Sequence, residues 1–237
     1  MSLAHLKNDP KIPNQPHIGL IDSCGGNLTS LTEALKRLEV NVSVSSDPTK
    51  LASADGIILP GVGAARESME RLSRAGLVDF LKEWEKPLLG ICIGMQILFS
   101  ESEEGICPDG PKENQIPVSL LGKIPGRIRK ISALPGYPVP HMGFNDIHWE
   151  ENSQKTVTLA KDLETDGNNS NVCFYFVHSF CAPPGPWVLA TAEYGQKIPA
   201  VIQWKQAYGV QFHPEKSQKT GLLILRNFVR LCVSSQQ

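Results

Sequence analysis

Residues 87–99 read Pro-Leu-Leu-Gly-Ile-Cys-Ile-Gly-Met-Gln-Ile-Leu-Phe, an apolar run with a glycine two residues to either side of Cys92. Pro87–Cys92 predicts a buried strand, and Gly94–Ser100 predicts its continuation as a helix. A cysteine at a tight strand-to-helix turn projects clear of the sheet. Such a turn is strained and brings backbones close together, which is why glycine is needed on both sides. The helix start would point its partial positive charge at the sulfur and favour thiolate. The Ile93 N–H would be placed to stabilise an oxyanion. A buried core cysteine is the plain alternative, since free cysteine is commonly buried.

Working outward, Ile18–Asp22, Asn41–Ser46 and Gly56–Pro60 also predict strands, separated by helices over 28–39, 64–75 and 77–86. Leu28, Leu31, Leu35 and Leu38 recur at helical spacing, with Asn27 where a cap belongs. Apolar strands alternating with helices predict an α/β fold: a flavodoxin-like, mostly parallel central sheet flanked by helices. In such sheets functional groups sit in the loops after the strands, here 23–27, 61–64 and 91–94. Beyond about residue 105, proline and glycine become dense. Short β-like runs follow at 123–131, 173–178, 188–193, 200–204 and 209–212. They predict an antiparallel β extension of the same sheet, because none is long enough for its own core. The stretch 151–171 is polar and predicts an exposed loop. Leu222, Leu225, Phe228, Val229 and Cys232 predict a closing helix. Residues 1–17, with prolines at 10, 13 and 16, predict a flexible tail, and 18–237 a single functional domain.

The chain has 237 residues, 41% of them apolar and 20% charged, with a formal net charge of −1. That balance argues against a dedicated nucleic-acid binder or a polybasic membrane anchor. The six cysteines form no CxxC pair, and no histidine has metal-ligand spacing, so no metal and no cofactor are expected. No signal peptide or membrane span is read, and the expectation is a cytoplasmic protein with free thiols.

A nucleophilic cysteine needs a base. The candidate is His213 in Gln211-Phe212-His213-Pro214-Glu215. Pro214 pushes His213 towards extended backbone, where residues two apart share a side, so Glu215 can orient the imidazole. A surface His beside a surface Glu is the plain alternative. The glycines of Pro60-Gly61-Val62-Gly63 could turn a second backbone N–H into an oxyanion hole, or could serve an ordinary tight turn. The third glycine of a dinucleotide loop is missing.

Taken together, 60–63 PGVG, 90–96 GICIGMQ, 140–145 PHMGFN, 176–179 FVHS and 211–217 QFHPEKS resemble the class I (triad) glutamine amidotransferases. Within them the resemblance is to the glutaminase-subunit family of imidazole glycerol phosphate synthase, over about residues 18–233. It implies Cys92 as nucleophile, His213 as base and Glu215 as its orienter. Val62, Gly63 and Ile93 would form the oxyanion hole. Gly61, Gln96, Glu104, His178, Ser179 and Phe180 would bind glutamine. Asn27, Phe144, Tyr175 and Lys216 would face a (β/α)8-barrel cyclase subunit that receives the ammonia. Ammonia in water at neutral pH is mostly ammonium, which is not nucleophilic, so a closed route to the acceptor makes chemical sense. The chain departs from the family at Ser23-Cys24-Gly25-Gly26 and at Phe144, where tryptophan is usual. A related synthase for sugar amidination, a stand-alone cysteine hydrolase and a non-catalytic binding module are the competing readings.

Overall fold

The apolar runs of the first hundred residues become strands β1 (His17–Ile21), β2 (Asn41–Ser45), β3 (Gly56–Gly61) and β4 (Leu88–Cys92). The structure is a computed structural model and describes residues 15–22, 28–106, 116–150, 158–163 and 172–234. Residues 1–14 of the tail, the 23–27 loop with Cys24 and Asn27, and most of 151–171 therefore lie outside the described residues. His17, expected in the tail, already belongs to β1. Its N–H bonds to Asp55 and its ring to Ser43.

Between these strands lie α1 (Leu28–Arg37), α2 (Pro48–Leu51), α3 (Ala65–Arg74) and α4 (Leu77–Glu83); α5 (Ile93–Gln96) follows β4. The helix expected over 77–86 stops at Glu83, where Trp84 turns extended, three residues ahead of Pro87. The helix expected over 94–100 is a single turn. The carbonyls of Ile97, Leu98 and Phe99 are taken by Leu121, Ile124 and Gly122 instead of continuing a helical ladder. Tertiary partners have overridden local propensity there.

The second half supplies β5 (Glu101–Ser102), β6 (Val118–Ser119), β7 (Arg127–Lys130), β8 (His141–Trp149), β9 (Val172–His178), β10 (Phe180–Cys181), β11 (Val188–Glu193), β12 (Lys197–Trp204) and β13 (Ala207–Val210). The nine-residue β8 was not expected as a strand, since Gly143, Asn145 and Asp146 disguise it. The expected run 123–131 narrows to β7, the run 209–212 shifts two residues earlier into β13, and the run 200–204 lengthens into β12. The closing helix is α6 (Gln218–Ser234). Part of the expected exposed loop is tied down: Leu159, Ala160 and Leu163 are buried, and Asn227 of α6 bonds the carbonyls of Leu159 and Lys161.

Nine strands form one sheet in the order β2-β1-β3-β4-β13-β12-β11-β8-β9. The pairings from β2 to β13 are all parallel, in a flavodoxin-like order. Those from β13 to β9 are all antiparallel, so the extension is as broad as the parallel part and the sheet is mixed. A small second sheet runs β10-β7-β5-β6. α1 packs with α6, and α3 packs with both α4 and α5. Strands β3, β4 and β13 are buried along their whole length, as expected for parallel strands covered on both faces. Each large apolar side chain buried there contributes about 1.5–3 kcal/mol, and together they anchor the strand ends that follow.

Candidate active site

The parallel register sets three residues in a row at one edge of the sheet. Gly61 pairs with Cys92 across β3 and β4, and Val210 pairs with Ile91 across β13 and β4. The residue after Val210, Gln211, thus comes alongside Cys92, and His213 lies two residues further on.

Cys92 has a φ of 53° and a ψ of −108°, a strained conformation for a residue with a Cβ. Both flanking glycines are required by space. A Cβ on Gly94 would collide with the Leu59 carbonyl of β3, and one on Gly90 would meet the backbone of Gly94 and Met95. The turn therefore packs backbone against backbone, and the sulfur is thrust out from the strand end. Because α5 is one turn long, the partial positive charge near the sulfur comes from its unpaired N–H groups rather than from a long dipole.

His213 Nδ1 lies 2.9 Å from Glu215 Oε1, with both side chains almost fully buried. Glu215 gets there by a route other than the expected extended segment. His213 is extended, and then Pro214–Lys216 form a 3-10 turn that swings the carboxylate back beside the ring. With Nδ1 donating to Glu215, the lone pair of Nε2 is left for the thiol. Nε2 is buried and has no fully formed hydrogen bond among the described residues. In resting sites such contacts commonly tighten only when substrate arrives. Burial alone would depress the imidazole pKa. The neighbouring Cys92 thiol and the Glu215 carboxylate outweigh it and raise the pKa to about 9.

Cys92 and His213 open onto one cavity of about 350 Å³. Val62, Gly63, Ile93, Gln96, Glu104, His178, Ser179 and Phe180 also line it, together with Pro140 and Val177, which stand in the quoted motifs without an expected role. Gly61 does not. It closes β3 against Ile93 and Gly94, and a side chain there would strike both. Gly63 has a φ of +87°, a left-handed conformation that glycine adopts freely.

The pocket wall is more committed than expected. Gln96 Nε2 donates to the Phe180 carbonyl at 2.8 Å and to Gln211 Oε1 at 3.0 Å, which leaves only its oxygen for a ligand. Glu104 Oε2 accepts from the Ala65 N–H at 2.5 Å, at the start of α3. Burial pushes its pKa up, and the Ala65 bond partly offsets this. His141 Nδ1 lies 3.0 Å from His178 Nε2, a pair brought together by the β8–β9 register. His141 and Gln211 both sit in quoted motifs, yet neither was assigned a role.

Of the four expected interface residues, Asn27 lies outside the described residues. The other three cluster. The Phe144 and Tyr175 rings are 5.5 Å apart, and Lys216 Nζ is 5.6 Å from the centre of the Tyr175 ring. Phe144 is 55% exposed and its neighbour Met142 65%. The opposite face of the same hairpin buries Phe174 and Phe176.

Among the described residues, no group of three or more His, Cys, Asp or Glu side chains is arranged to hold a metal, and no helix is long and apolar enough to cross a membrane.

The chain is similar to known proteins over most of its length. The model of the glutamine amidotransferase class-I family matches residues 19–232. Imidazole glycerol phosphate synthase subunit HisH 2 of Legionella pneumophila (strain Paris) is 42% identical over 90% of this chain and 98% of its own. Subunit HisH of the Vibrio cholerae synthase is 41% identical over 91% and 98%. A crystal structure of a glutamine amidotransferase, 19% identical, superposes with a TM-score of 0.63 over 91% of this chain and 98% of its own, which speaks to the fold alone.

Proposed function

The chain belongs to the class I glutamine amidotransferases, and we propose that it is the glutaminase subunit of an imidazole glycerol phosphate synthase, acting in histidine biosynthesis in the cytoplasm. The described part of the chain would work as one glutaminase domain. The observation that carries the chemistry is the strained Cys92 elbow, which opens onto the same cavity as the His213–Glu215 pair.

In this reading glutamine enters with its side-chain amide over the sulfur. His213, whose raised pKa favours the charged ring, holds at Nε2 the proton drawn from Cys92 while the sulfur attacks the amide carbon. Charge builds on the amide oxygen, where the Ile93 N–H and an N–H of the Val62–Gly63 segment receive it. His213, charged and held by Glu215, then passes the proton to the departing nitrogen. Ammonia leaves and a glutamyl thioester remains on Cys92. His213 next draws a proton from water, which adds to the thioester carbon; glutamate is released and the thiol is restored. Gln96 Oε1, Glu104 and the His178–Phe180 segment hold the amino-acid end of the substrate.

The relatives' names describe one subunit of a synthase. The ammonia is therefore assigned to a partner cyclase with a (β/α)8 barrel. The exposed Phe144 and Met142, with Tyr175 and Lys216, offer that partner an apolar patch with one cation. No cofactor or metal takes part in this scheme.

The test uses the assembled complex. Cys92→Ala is expected to abolish synthesis from glutamine and to spare synthesis from added ammonium salts. Retained use of glutamine would overturn the assignment.

A further inference from the structure

The wall of the cavity is a chain of amides and imidazoles whose proton positions follow from its carbonyl ends. The Phe180 carbonyl can only accept. It receives Gln96 Nε2 at 2.8 Å and His178 Nδ1 at 2.8 Å. The first bond fixes which way the Gln96 amide faces. The second hydrogen of that same nitrogen goes to Gln211 Oε1 at 3.0 Å. Gln211 must therefore turn its NH2 to the other side, where the Cys92 sulfur lies 3.8 Å away. Gln211 is fully buried, so no water offers the amide another orientation. A flipped amide would face NH2 to NH2 with Gln96.

The other branch is equally determined. His178 spends its Nδ1 proton on Phe180, so its Nε2 accepts from His141 Nδ1. His141 Nε2 then accepts from Asn145 Nδ2 at 3.2 Å, whose remaining hydrogen goes to the Glu193 carbonyl at 3.0 Å. This pattern requires both imidazoles to be neutral. Burial provides that, lowering His141 to about 4 and His178 to about 3.

We propose that Gln211 is a further catalytic residue, an N–H donor to the Cys92 sulfur whose direction is dictated by Gln96 and the Phe180 carbonyl. When Cys92 gives up its proton, the negative sulfur meets a donor already aimed at it, and nothing need reorganise. Gln96 then has two tasks: it holds Gln211, and it leaves its own Oε1 as a bare acceptor beside the substrate. The ionisable groups facing the sulfur's surroundings are His213, with Glu215 behind it, and His178 and Glu104, which line the same cavity. Gln211→Met alters none of them, and Gln211→Glu adds one carboxyl to the set. The proposal rests on the reading of Cys92 as nucleophile.

Two substitutions test it in the assembled complex. Gln211→Glu keeps the shape and turns an oxygen to the sulfur, while Gln211→Met keeps the bulk and removes the donor. Each is expected to lower kcat with glutamine by about ten-fold or more and to change KM by less than about three-fold. Synthesis from ammonium salts should persist and shows that the complex is folded. Cys92 alkylation by iodoacetamide should reach half-maximal rate at a higher pH in both variants, and more so with Glu. An unchanged kcat, or an unchanged alkylation profile in both, overturns the proposal. Failure of the unsubstituted complex to be alkylated at Cys92 or to use glutamine would strike at the nucleophile instead. If both variants lose synthesis from ammonium salts, the unsubstituted chain decides. The Gln211 side-chain amide signals in nitrogen-15 NMR should shift on alkylation of Cys92, and unmoved signals overturn the proposal.

Discussion

The two halves of the nine-stranded sheet contribute to the site in different ways. The parallel half, β2 to β13, delivers the reactive groups. Cys92 ends β4, and the segment carrying His213 and Glu215 leaves the neighbouring β13 at the same edge. Adjacent parallel strands run the same way, so groups far apart in sequence emerge side by side. The antiparallel half contributes a wall and an exterior. In the β8–β9 hairpin, alternate residues face opposite ways. His141, His178 and Phe176 are buried on one face, while Met142, Phe144 and Tyr175 lie on the other. One half thus supplies chemistry from its edge. The other couples a pocket to an exposed surface through its thickness.

If that division is right, damage to the parallel half should cost catalysis and folding most. His213→Ala is expected to lower kcat with glutamine by about a thousand-fold or more, while synthesis from ammonium salts persists. Steady-state kinetics on both nitrogen sources checks this. Gly94→Ala should come next. Its Cβ would be driven into the Leu59 carbonyl, and backbone there cannot step aside. A loss of about 3 kcal/mol or more in denaturant unfolding is expected.

The antiparallel half should show its weakness in acid. Unfolded histidines take up protons from about pH 6.5 downward. In the fold, burial keeps His141 neutral to about 4 and His178 to about 3. The contribution of the pair is therefore complete above pH 6.5 and is lost as the pH falls, towards about 4 for His141 and about 3 for His178. Each imidazole adds up to about 1.4 kcal/mol per pH unit to that slope. Denaturation midpoints at pH 7.5 and 5 should converge in His141→Gln relative to the unsubstituted chain. An equal drop in both would separate the pair from acid sensitivity. The smallest effect is expected at the exterior. Phe144→Ala should weaken the cyclase complex by about ten-fold, measured by calorimetric titration, without moving the unfolding midpoint. A change in stability and none in affinity would make that face structural.

What the sequence made legible follows the same division. The glycines around Cys92 announced the elbow because backbone contacts leave them no alternative, and His213-Pro214-Glu215 announced its pair through local stiffness. Those signals span a few residues each. Gln211 and His141 were hidden for the opposite reason. Gln211 reaches Cys92 only through a strand register that joins residues 119 apart in the chain. His141 gains its meaning from His178, 37 residues away, across a strand whose glycine and polar residues disguise it. Even the brevity of α5 is a long-range effect, since its would-be helical carbonyls are claimed by residues 121–124. Gly61, expected at the glutamine site, lies against Ile93 and Gly94 under the elbow, where no side chain fits.

The cysteines give the most direct measurement. Burial pushes the Cys181 thiol up to about 11 and that of Cys232 higher still, so neither should react readily. A chloroketone analogue of glutamine, applied to the complex and followed by peptide mapping, should label Cys92 alone, and excess glutamine should block it. Label on another cysteine, or on Cys92 with no protection by glutamine, would contradict the account.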